Sequence, residues 1–352
     1  MHLQRYFFST IIFIIVFLAL QQLFMPKYAS DIFEGNLIRE YYLSAKDHNI
    51  IFIGDCEVFA GFSPVVLWEE LGVTSFVRGS AQQLVWQSYY LLEETLRHET
   101  PDIIVFSVLA MQYSKPQHEP YNRLTLDGMR MSLSKLRSIR ASMMEDEDWL
   151  SYIFPLFRYK DRWREISTED FRYFFSRPQV SLNGFMIRAD VRPAGWIPDP
   201  LPRANLQFGG KPFYYLERIA VLAANHEIPL VLVKAPTLFP HWPDEWNSQI
   251  EEFALQYNLL FINFLEHIDC IGLDFYTDTF DGGVTLNVFG AEKLTRFFAA
   301  ILAENFDLPN RRGEPNTYAR WQEKSELYHA VIRRQLEEID RYGRIVDFLV
   351  RF

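Results

Sequence analysis

Residues 49–64 read NIIFIGDCEVFAGFSP and are the clearest indication of the fold. The apolar run Ile50–Ile53 predicts a short buried strand that ends at Gly54. Pro64 then opens a helical pattern, as proline often does at the first position of a helix. A strand that leads through a glycine turn into a helix presents that turn at the carboxyl edge of a sheet, where open α/β folds place their sites. We therefore expect Cys56 to lie in a turn at such a site.

Four more apolar runs alternate with helical patterns along the chain. They predict strands at Val73–Val77, Ile103–Leu109, Ile228–Lys234 and Leu259–Phe264. Strands that alternate with helices of this length are typical of a mostly parallel, doubly wound sheet. We predict an α/β fold of three layers, in which helices cover both faces of a five-stranded sheet. Arg78, Gly79 and Ser80 are interpreted as the turn that follows the second strand.

The alternation pauses between about residues 112 and 205, a stretch rich in arginine, serine and aromatic residues. We interpret this stretch as a helical insertion that lies over the carboxyl edge of the sheet. An aromatic and basic lid in that place would suit sugar rings or lipid headgroups. The alternative is that these aromatic side chains pack the insertion onto the core, and this role explains more of them than ligand binding does.

The N-terminal segment is strongly apolar. Residues 6–26 contain no charged side chain, and Tyr6–Leu20 is almost wholly apolar, which is typical of a membrane-spanning helix. A cleavable signal peptide is the alternative, but its apolar region would be shorter, and no convincing cleavage site follows. Arg5 precedes the span, which favours a single-pass cell-membrane protein with a cytoplasmic N-terminus and an extracytoplasmic body.

These patterns divide the chain into four predicted parts. Residues 1–26 form a cytoplasmic tip and a transmembrane anchor, and residues 27–48 form a stalk with a short helix. The main domain spans residues 49–310 and includes the insertion. Residues 311–352 form a C-terminal helical extension, whose amphipathic pattern predicts a helix on the surface or against the stalk.

Composition argues against several classes of function. The net charge of −10 argues against a nucleic-acid-binding protein, which would usually carry a basic face. The two cysteines, Cys56 and Cys270, are too few for a disulfide framework and are interpreted as free thiols, with Cys270 as a small buried apolar residue. No spacing of ligating side chains predicts a metal site, and no phosphate-loop or nucleotide motif predicts a cofactor.

Two blocks of sequence resemble one enzyme family. Residues 54–56 read Gly-Asp-Cys, which resembles the strand followed by Gly-Asp-Ser in the SGNH/GDSL hydrolases. Residues 277–295, TDTFDGGVTLNVFGAEKLT, resemble the last block of the membrane-anchored bacterial branch, Asp-x-Gly-x-His-Leu-Asn followed by Gly-Ala-Glu-Lys. The resemblance implies that Cys56 replaces the serine nucleophile and that Asp281 holds the acid position. Thr285 stands where the base histidine is expected.

The resemblance covers residues 50–305 and implies the remaining parts of a site. An oxyanion hole would be formed by the backbone N–H groups of Cys56 and Gly79 and by the side chain of Gln112. Gln112 is proposed because Met111, the residue aligned with the family's asparagine, has no hydrogen-bond donor in its side chain. The spacing from Asp281 to the base position is also one residue longer than in the commonest form of the wider family.

His241 is the histidine that we place near Cys56 as a possible substitute base, because it follows the predicted strand that ends at Lys234. The alternative, a loop histidine packed on Trp242, is the more common kind of residue. A threonine hydroxyl does not take up a proton at neutral pH as an imidazole does. A helix after Cys56 would favour its thiolate, whereas the charges of the neighbouring acidic residues would oppose it.

Two functions follow from the resemblance. The first is a membrane-anchored esterase or acyltransferase that moves O-acyl groups on cell-surface or exported glycans, impaired by the loss of serine and histidine. The second is a non-catalytic protein that binds a glycan or serves as a scaffold in an acylation or export complex. The implied partners are a glycan or acyl-carrier substrate, the membrane and a membrane-bound acyltransferase. No cofactor and no nucleic acid is expected.

Overall fold

Parallel strands form the central sheet of the protein, whose computed structural model describes residues 2–25, 36–173, 175, 178–195 and 206–351. Within these residues the strands are β1 (Ile50–Gly54), β2 (Ser75–Gly79), β3 (Ile103–Ser107), β4 (Leu230–Lys234) and β5 (Leu260–Asn263). They pair in the order β2-β1-β3-β4-β5, and each pairing is parallel. The predicted α/β fold with a five-stranded, mostly parallel sheet is therefore confirmed.

Helices make most of the connections between the strands. The α-helices of the described residues are α1 (His2–Phe24), α2 (Asn36–Glu40), α3 (Cys56–Gly61), α4 (Pro64–Leu71), α5 (Val85–Thr95), α6 (Glu119–Leu126), α7 (Leu133–Ser142), α8 (Trp149–Ile153), α9 (Pro155–Tyr159), α10 (Thr168–Arg172), α11 (Gly210–Asn225), α12 (Asp244–Tyr257), α13 (Ile268–Ile271), α14 (Val288–Asn305) and α15 (Pro315–Tyr342). Parallel strands need such crossovers because the end of one strand and the start of the next lie at opposite edges of the sheet.

Both faces of the sheet are buried, which explains why its strands are apolar throughout. Successive side chains of a strand point to opposite faces. Ile51 and Ile53 of β1 accordingly join a cluster with α5, α11 and α12, whereas Ile50 and Phe52 join a second cluster with α3, α4 and α14. The continuous apolar runs in the sequence are the consequence of this two-sided packing.

The second strand lies two residues later than its pattern predicts. We predicted a strand at 73–77 and a turn at Arg78-Gly79-Ser80, but β2 includes both Arg78 and Gly79. The Arg78 side chain is fully buried and pairs with Glu94 of α5 at 3.1 Å. It also donates to the carbonyl of Leu91 at 3.0 Å. An arginine is tolerated in this strand because a distant carboxylate neutralises it, which no local pattern reveals.

Cys270 does not occupy the buried position that we predicted. It lies in the single-turn helix α13 and is exposed. Ile271, the next residue, takes the buried position of that turn. A surface turn offers one inward position, and the larger apolar side chain fills it.

The insertion lies mainly beside the sheet, which differs from the predicted lid over its carboxyl edge. Leu126, Ile139 and Tyr152 of α6, α7 and the α8 region pack with Leu91 of α5 and Ile38 of α2. These side chains find their apolar partners on the helical layer and the stalk. Residues 174, 176, 177 and 196–205 of the predicted insertion lie outside the described residues, as do residues 27–35 of the predicted stalk.

Two parts of the insertion do reach the carboxyl edge. Thr125 of α6 forms a hydrogen bond of 2.6 Å with Ser80, the residue after β2. Arg192 N donates to Thr279 O at 2.9 Å, next to the turn that contains Asp281. The insertion therefore borders the edge at two points.

The C-terminal helix α15 packs against the main domain. The rings of Trp321 and Trp68 stack at 5.5 Å between centroids, which joins α15 to α4. Arg320 also pairs with Asp47 of the predicted stalk at 2.5 Å. The extension thus contacts both the domain and the stalk, as its amphipathic pattern suggested.

One helix among the described residues is long and apolar enough to cross a membrane. It spans Gln4–Phe24, a length of 21 residues, with a mean hydropathy of 2.3. A membrane anchor and a signal sequence both fit this length and composition. The orientation of the helix stays a prediction.

Candidate functional site

Cys56 is the first residue of helix α3, whereas its pattern predicted a turn. Asp55 caps this helix, because its carboxylate accepts the N–H of Glu57 at 3.1 Å. The thiol is half-buried, and it lies between the two apolar clusters of the domain. A strand that passes at once into a capped helix holds Cys56 at the carboxyl end of β1, the place that sequence analysis assigned to it.

Glycines allow the close packing around this junction. Gly54 and Gly79 are opposite each other in the pairing of β1 with β2. A Cβ atom at Gly54 would lie 2.8 Å from Cβ of Ser107, and one at Gly79 would lie 2.8 Å from Cγ2 of Val58. The backbone of Gly79 also approaches the carbonyl of Asp55, because a Cβ there would lie 3.2 Å from that oxygen. Gly79 therefore lies beside the junction of β1 and α3, and its role as an oxyanion donor stays a prediction.

Glu57 is the centre of a buried polar network directly after Cys56. Its carboxylate pairs with Lys234 at 2.5 Å, and both side chains are fully buried. It also accepts hydrogen bonds from Ser107 Oγ at 2.8 Å, Thr237 Oγ1 at 2.9 Å and Ala235 N at 3.2 Å. The network ties the start of α3 to the ends of β3 and β4.

Sequence analysis missed this network. It treated Glu57 only as a charge that opposes a thiolate. A signal was present, since Lys234 ends an otherwise apolar strand and needs a carboxylate partner when it is buried. The partner lies 177 positions away in the sequence, so the pattern alone does not identify it.

The Asp281 loop is closed on itself by hydrogen bonds. One oxygen of the Asp281 carboxylate accepts Thr285 N at 2.7 Å and Val284 N at 3.1 Å. The other oxygen accepts the hydroxyl proton of Thr285. Thr285 thus donates to the acid as the expected histidine would, but its hydroxyl has no further proton to give and accepts none at neutral pH.

The charge of Asp281 is one of those that act on the Cys56 thiol at the start of α3. Burial raises the pKa of the Cys56 thiol well above its ordinary value, and the charges of Asp55, Glu57 and Asp281 raise it further. Lys234 opposes this shift more weakly. The Asp281 carboxylate is therefore within electrostatic reach of the thiol. These surroundings favour the protonated thiol, whereas the surroundings of an activated cysteine lower its pKa and favour the thiolate.

A free hydrogen-bond donor lies near the same edge. The Nε2 atom of Gln112 is buried, and the described residues offer it no hydrogen-bond partner. Gln112 ends the 3₁₀ turn that follows β3, whereas Met111 is fully buried. A buried amide without a partner is costly unless a ligand or water satisfies it. Gln112 therefore fits the donor role that the resemblance implies.

Tyr113 is a further residue of this site that sequence analysis did not name. Burial raises the pKa of its phenol, and the charges of Asp55 and Cys56 raise it further. Tyr113 is half-buried and packs against the apolar cluster that Cys56 also contacts. Tyr113 thus presents a polar group within electrostatic reach of the thiol.

His241 lies on a loop that contacts the Asp281 turn. Leu238 N donates to Gly283 O at 2.8 Å, which joins the segment after β4 to this turn. The His241 side chain is exposed, and no hydrogen bond of its ring to another described residue is found. Its neighbour Trp242 is buried against Trp246, with ring centroids 5.2 Å apart. The loop reaches the edge, but no contact marks His241 as a base for Cys56.

The residues that match the family's last block have structural contacts in this chain. Asn287 caps α14 by accepting the N–H groups of Phe289 and Gly290. Lys293 pairs with Asp278 at 2.7 Å. A Cβ atom at Gly290 would lie 2.5 Å from the carbonyl oxygen of Asp278, so glycine is required there. These residues support the turn whether or not the site is catalytic.

Comparison with known proteins assigns no family: no protein-family model matches the chain, and no curated protein matches it significantly. The described residues contain no group of three or more histidine, cysteine or acidic side chains placed to hold a metal ion.

Cys56 is expected to react slowly with iodoacetamide at neutral pH. Its raised pKa keeps the thiol protonated, and the thiolate forms only as pH rises above the ordinary cysteine range. We expect alkylation at least about tenfold slower than that of the exposed Cys270, since each pKa unit changes the thiolate fraction about tenfold. Mass spectrometry of the full chain across a pH series measures both sites in one sample.

The variant Asp281→Asn shows whether slow alkylation of Cys56 comes from nearby negative charge or from steric shielding of the thiol. The asparagine keeps an oxygen acceptor for the Thr285 and Val284 N–H groups but removes a negative charge near the thiol. We expect the pH midpoint of Cys56 alkylation to fall in this variant. Steric shielding alone would lower the rate without moving the midpoint. Alkylation of Cys56 as fast as that of Cys270 at neutral pH would contradict the expected protonation state.

Proposed function

We propose that the protein is a membrane-anchored, extracytoplasmic member of the SGNH-like proteins that does not catalyse acyl transfer. It serves as a glycan-binding or scaffold subunit of an acylation or export complex. The observation that carries the proposal is the pairing of Thr285 with Asp281. The carboxylate of Asp281 accepts the Thr285 hydroxyl, and Thr285 does not take up a proton at neutral pH as the expected histidine would.

The strand order supports the relation to this fold. The order β2-β1-β3-β4-β5 is that of flavodoxin-like doubly wound sheets, whose ligands bind outside the carboxyl ends of the strands at the switch between β1 and β3. Cys56 follows β1, and Gln112 and Tyr113 follow β3. The site therefore stands where such a sheet presents a ligand pocket.

The polar groups of the site favour binding over chemistry. The unpartnered amide of Gln112 is suited to donate a hydrogen bond to a hydroxyl, carbonyl or ester oxygen of a ligand. Acyl transfer from Cys56 would need the thiol proton to move to a base before the sulfur attacks. The raised pKa of the thiol makes that loss of a proton unfavourable.

A second function is supported by one observation. Cys56 is half-buried at the start of α3, and Gly79 approaches the carbonyl of Asp55, the residue before Cys56. This closeness supports a nucleophile with an oxyanion hole beside it. In this function the sulfur would attack an ester carbonyl to form a thioester. The C–O bond would break, and the departing alcohol would carry away the thiol proton. Turnover would be very slow without a base.

Acylation of the full-length protein distinguishes the two functions. The protein in detergent micelles is mixed with p-nitrophenyl acetate, and nitrophenol release and the mass of the Cys56 peptide are followed. We expect no burst and no acetyl group at Cys56, because the thiol is held protonated. Cys56→Ala should behave like the parent chain. A burst in the parent chain that is lost in Cys56→Ala would overturn the non-catalytic proposal.

A further inference from the structure

Short helical segments pack against one side of the C-terminal half of α1. We call residues 149–172 the collar; it includes α8, α9, α10 and the 3₁₀ turn Lys160–Arg164. The rings of Phe17 and Phe154 meet at 5.5 Å between centroids. Leu156 N donates to the side-chain oxygen of Gln21 at 2.7 Å, and Arg162 donates to the carbonyl of Phe24 at 2.7 Å.

These contacts fix the position of the collar along α1. Phe17 precedes Phe24 by seven residues, which corresponds to about 10 Å along a helix. If α1 spans the bilayer, the contact of Phe154 with Phe17 lies about that far inside the end of the span. Gln21, a polar residue in an apolar helix, is buried there and satisfies the N–H of Leu156. This bond pairs the side-chain oxygen of Gln21, whereas its Nε2 atom has no hydrogen-bond partner among the described residues.

The outer surface of the collar carries several large aromatic side chains. Trp149, Phe157, Trp163 and Phe171 are 52%, 49%, 61% and 53% exposed. Four exposed aromatic side chains within a segment of 24 residues exceed the scattered apolar residues of an ordinary surface and indicate an interaction surface. Tryptophan and other amphipathic rings are typical of the boundary between a bilayer and water.

Charge is a secondary feature of this surface. The collar contains five basic and four acidic residues, in a chain whose net charge is −10. Arg158, Lys160, Arg164 and Arg172 are exposed among the aromatic side chains, as are Asp161, Glu165 and Glu169. This near balance means that the aromatic groups, and not attraction to anionic lipid, would supply most of the binding.

We propose that the collar is a membrane-interfacial surface that holds the α/β domain against the bilayer in which α1 is anchored. The occupant is the lipid bilayer itself, because the collar is continuous with the helix that enters it. The proposal rests on the retention of α1 as an anchor, which is part of the proposed function.

The collar is also joined firmly to the domain. Arg158 pairs with Glu119 of α6 at 3.0 Å, and Arg123 of α6 donates to Ser151 at 3.0 Å. Thr125 of the same helix bonds to Ser80 at the end of β2. Docking of the collar would therefore orient the β2 side of the sheet toward the membrane.

Fluorescence quenching by brominated lipid tests the collar directly. The full chain carries Cys56→Ala and Cys270→Ala, with one new cysteine from Trp163→Cys or Phe171→Cys, labelled with an environment-sensitive dye. Leu255→Cys is the matched control, because Leu255 is 85% exposed on α12, which packs at the β5 end of the sheet. Each protein is reconstituted in phosphatidylcholine vesicles with brominated acyl chains.

We expect the labels at 163 and 171 to lose about half of their fluorescence or more, since interfacial residues sit roughly 5–10 Å into the headgroup and acyl boundary. The label at 255 should be unaffected, and added salt should change neither result. Unquenched labels at 163 and 171 in protein that resists alkaline carbonate extraction would overturn the collar proposal while leaving the anchor intact. Release by carbonate would overturn the anchor, and the collar proposal with it. Neither result bears on the acylation test at Cys56.

Discussion

Replacing Lys234 with methionine is expected to lower the free energy of unfolding by about 3–5 kcal/mol, because one partner of a buried ion pair is removed. Lys234 Nζ lies 2.5 Å from the Glu57 carboxylate, and both side chains are fully buried. The Glu57 charge would then remain inside the protein with only neutral donors. Methionine has a similar length, so the loss of packing is small.

A surface ion pair provides the control for this variant. Arg296 pairs with Glu70 at 3.3 Å, and both side chains are about half exposed. Arg296→Met should cost less than about 1 kcal/mol. Urea unfolding of the full chain in the same detergent, followed by circular dichroism, measures both variants. Equal losses for the two variants would contradict the role assigned to the buried network.

The double variant Glu57→Gln/Lys234→Met tests the reason for the loss. Removing both charges relieves the uncompensated carboxylate. Ser107 and Thr237 donate to different oxygens of Glu57, so glutamine keeps an acceptor for one of the two hydroxyl groups. We expect the double variant to be more stable than Lys234→Met alone, a non-additive result typical of paired charges. A double variant as unstable as the sum of the single variants would show that packing, and not charge, accounts for the effect.

The second large effect is a gain of activity in Cys56→Ser/Thr285→His. A general base typically contributes about 10²–10⁴-fold to a rate. Thr285 already donates to Asp281, so an imidazole at this position has a carboxylate to orient it. We expect hydrolysis of p-nitrophenyl acetate to rise by about 10²–10⁴-fold over Cys56→Ser alone. Initial rates with the purified full chain measure the gain.

Cys56→Ser/Thr285→Asn is the control, since asparagine also bonds to Asp281 but cannot act as a base at neutral pH. The loop is one residue longer than the commonest form of the resembling family, so the histidine variant is also made with Val284 deleted. Val284 is 37% exposed, which makes its removal tolerable. Folded proteins of both loop lengths that gain no activity would contradict the placement of residue 285 beside residue 56.

Local patterns were sufficient to predict the sheet and the place of Cys56 after its first strand. The apolar run Ile50–Ile53 is buried on both faces, so its hydrophobicity alone indicates a strand. The glycine at its end and the helical pattern from Pro64 placed Cys56 at the carboxyl edge. These features depend on neighbouring residues in the sequence, and such information is present in any short window.

Only the tertiary structure decided which side chains share that edge and what their charges do. The partner of Lys234 is 177 positions away, and Arg78 lies in a strand because Glu94 from a helix neutralises it. The pairing of Thr285 with Asp281, and the rise of the Cys56 pKa through burial and nearby carboxylates, likewise depend on distances across the fold. The sequence pattern indicates periodicity and burial. Desolvation and Coulomb energies depend on distances in three dimensions, so only the tertiary structure determines the protonation state of the Cys56 thiol.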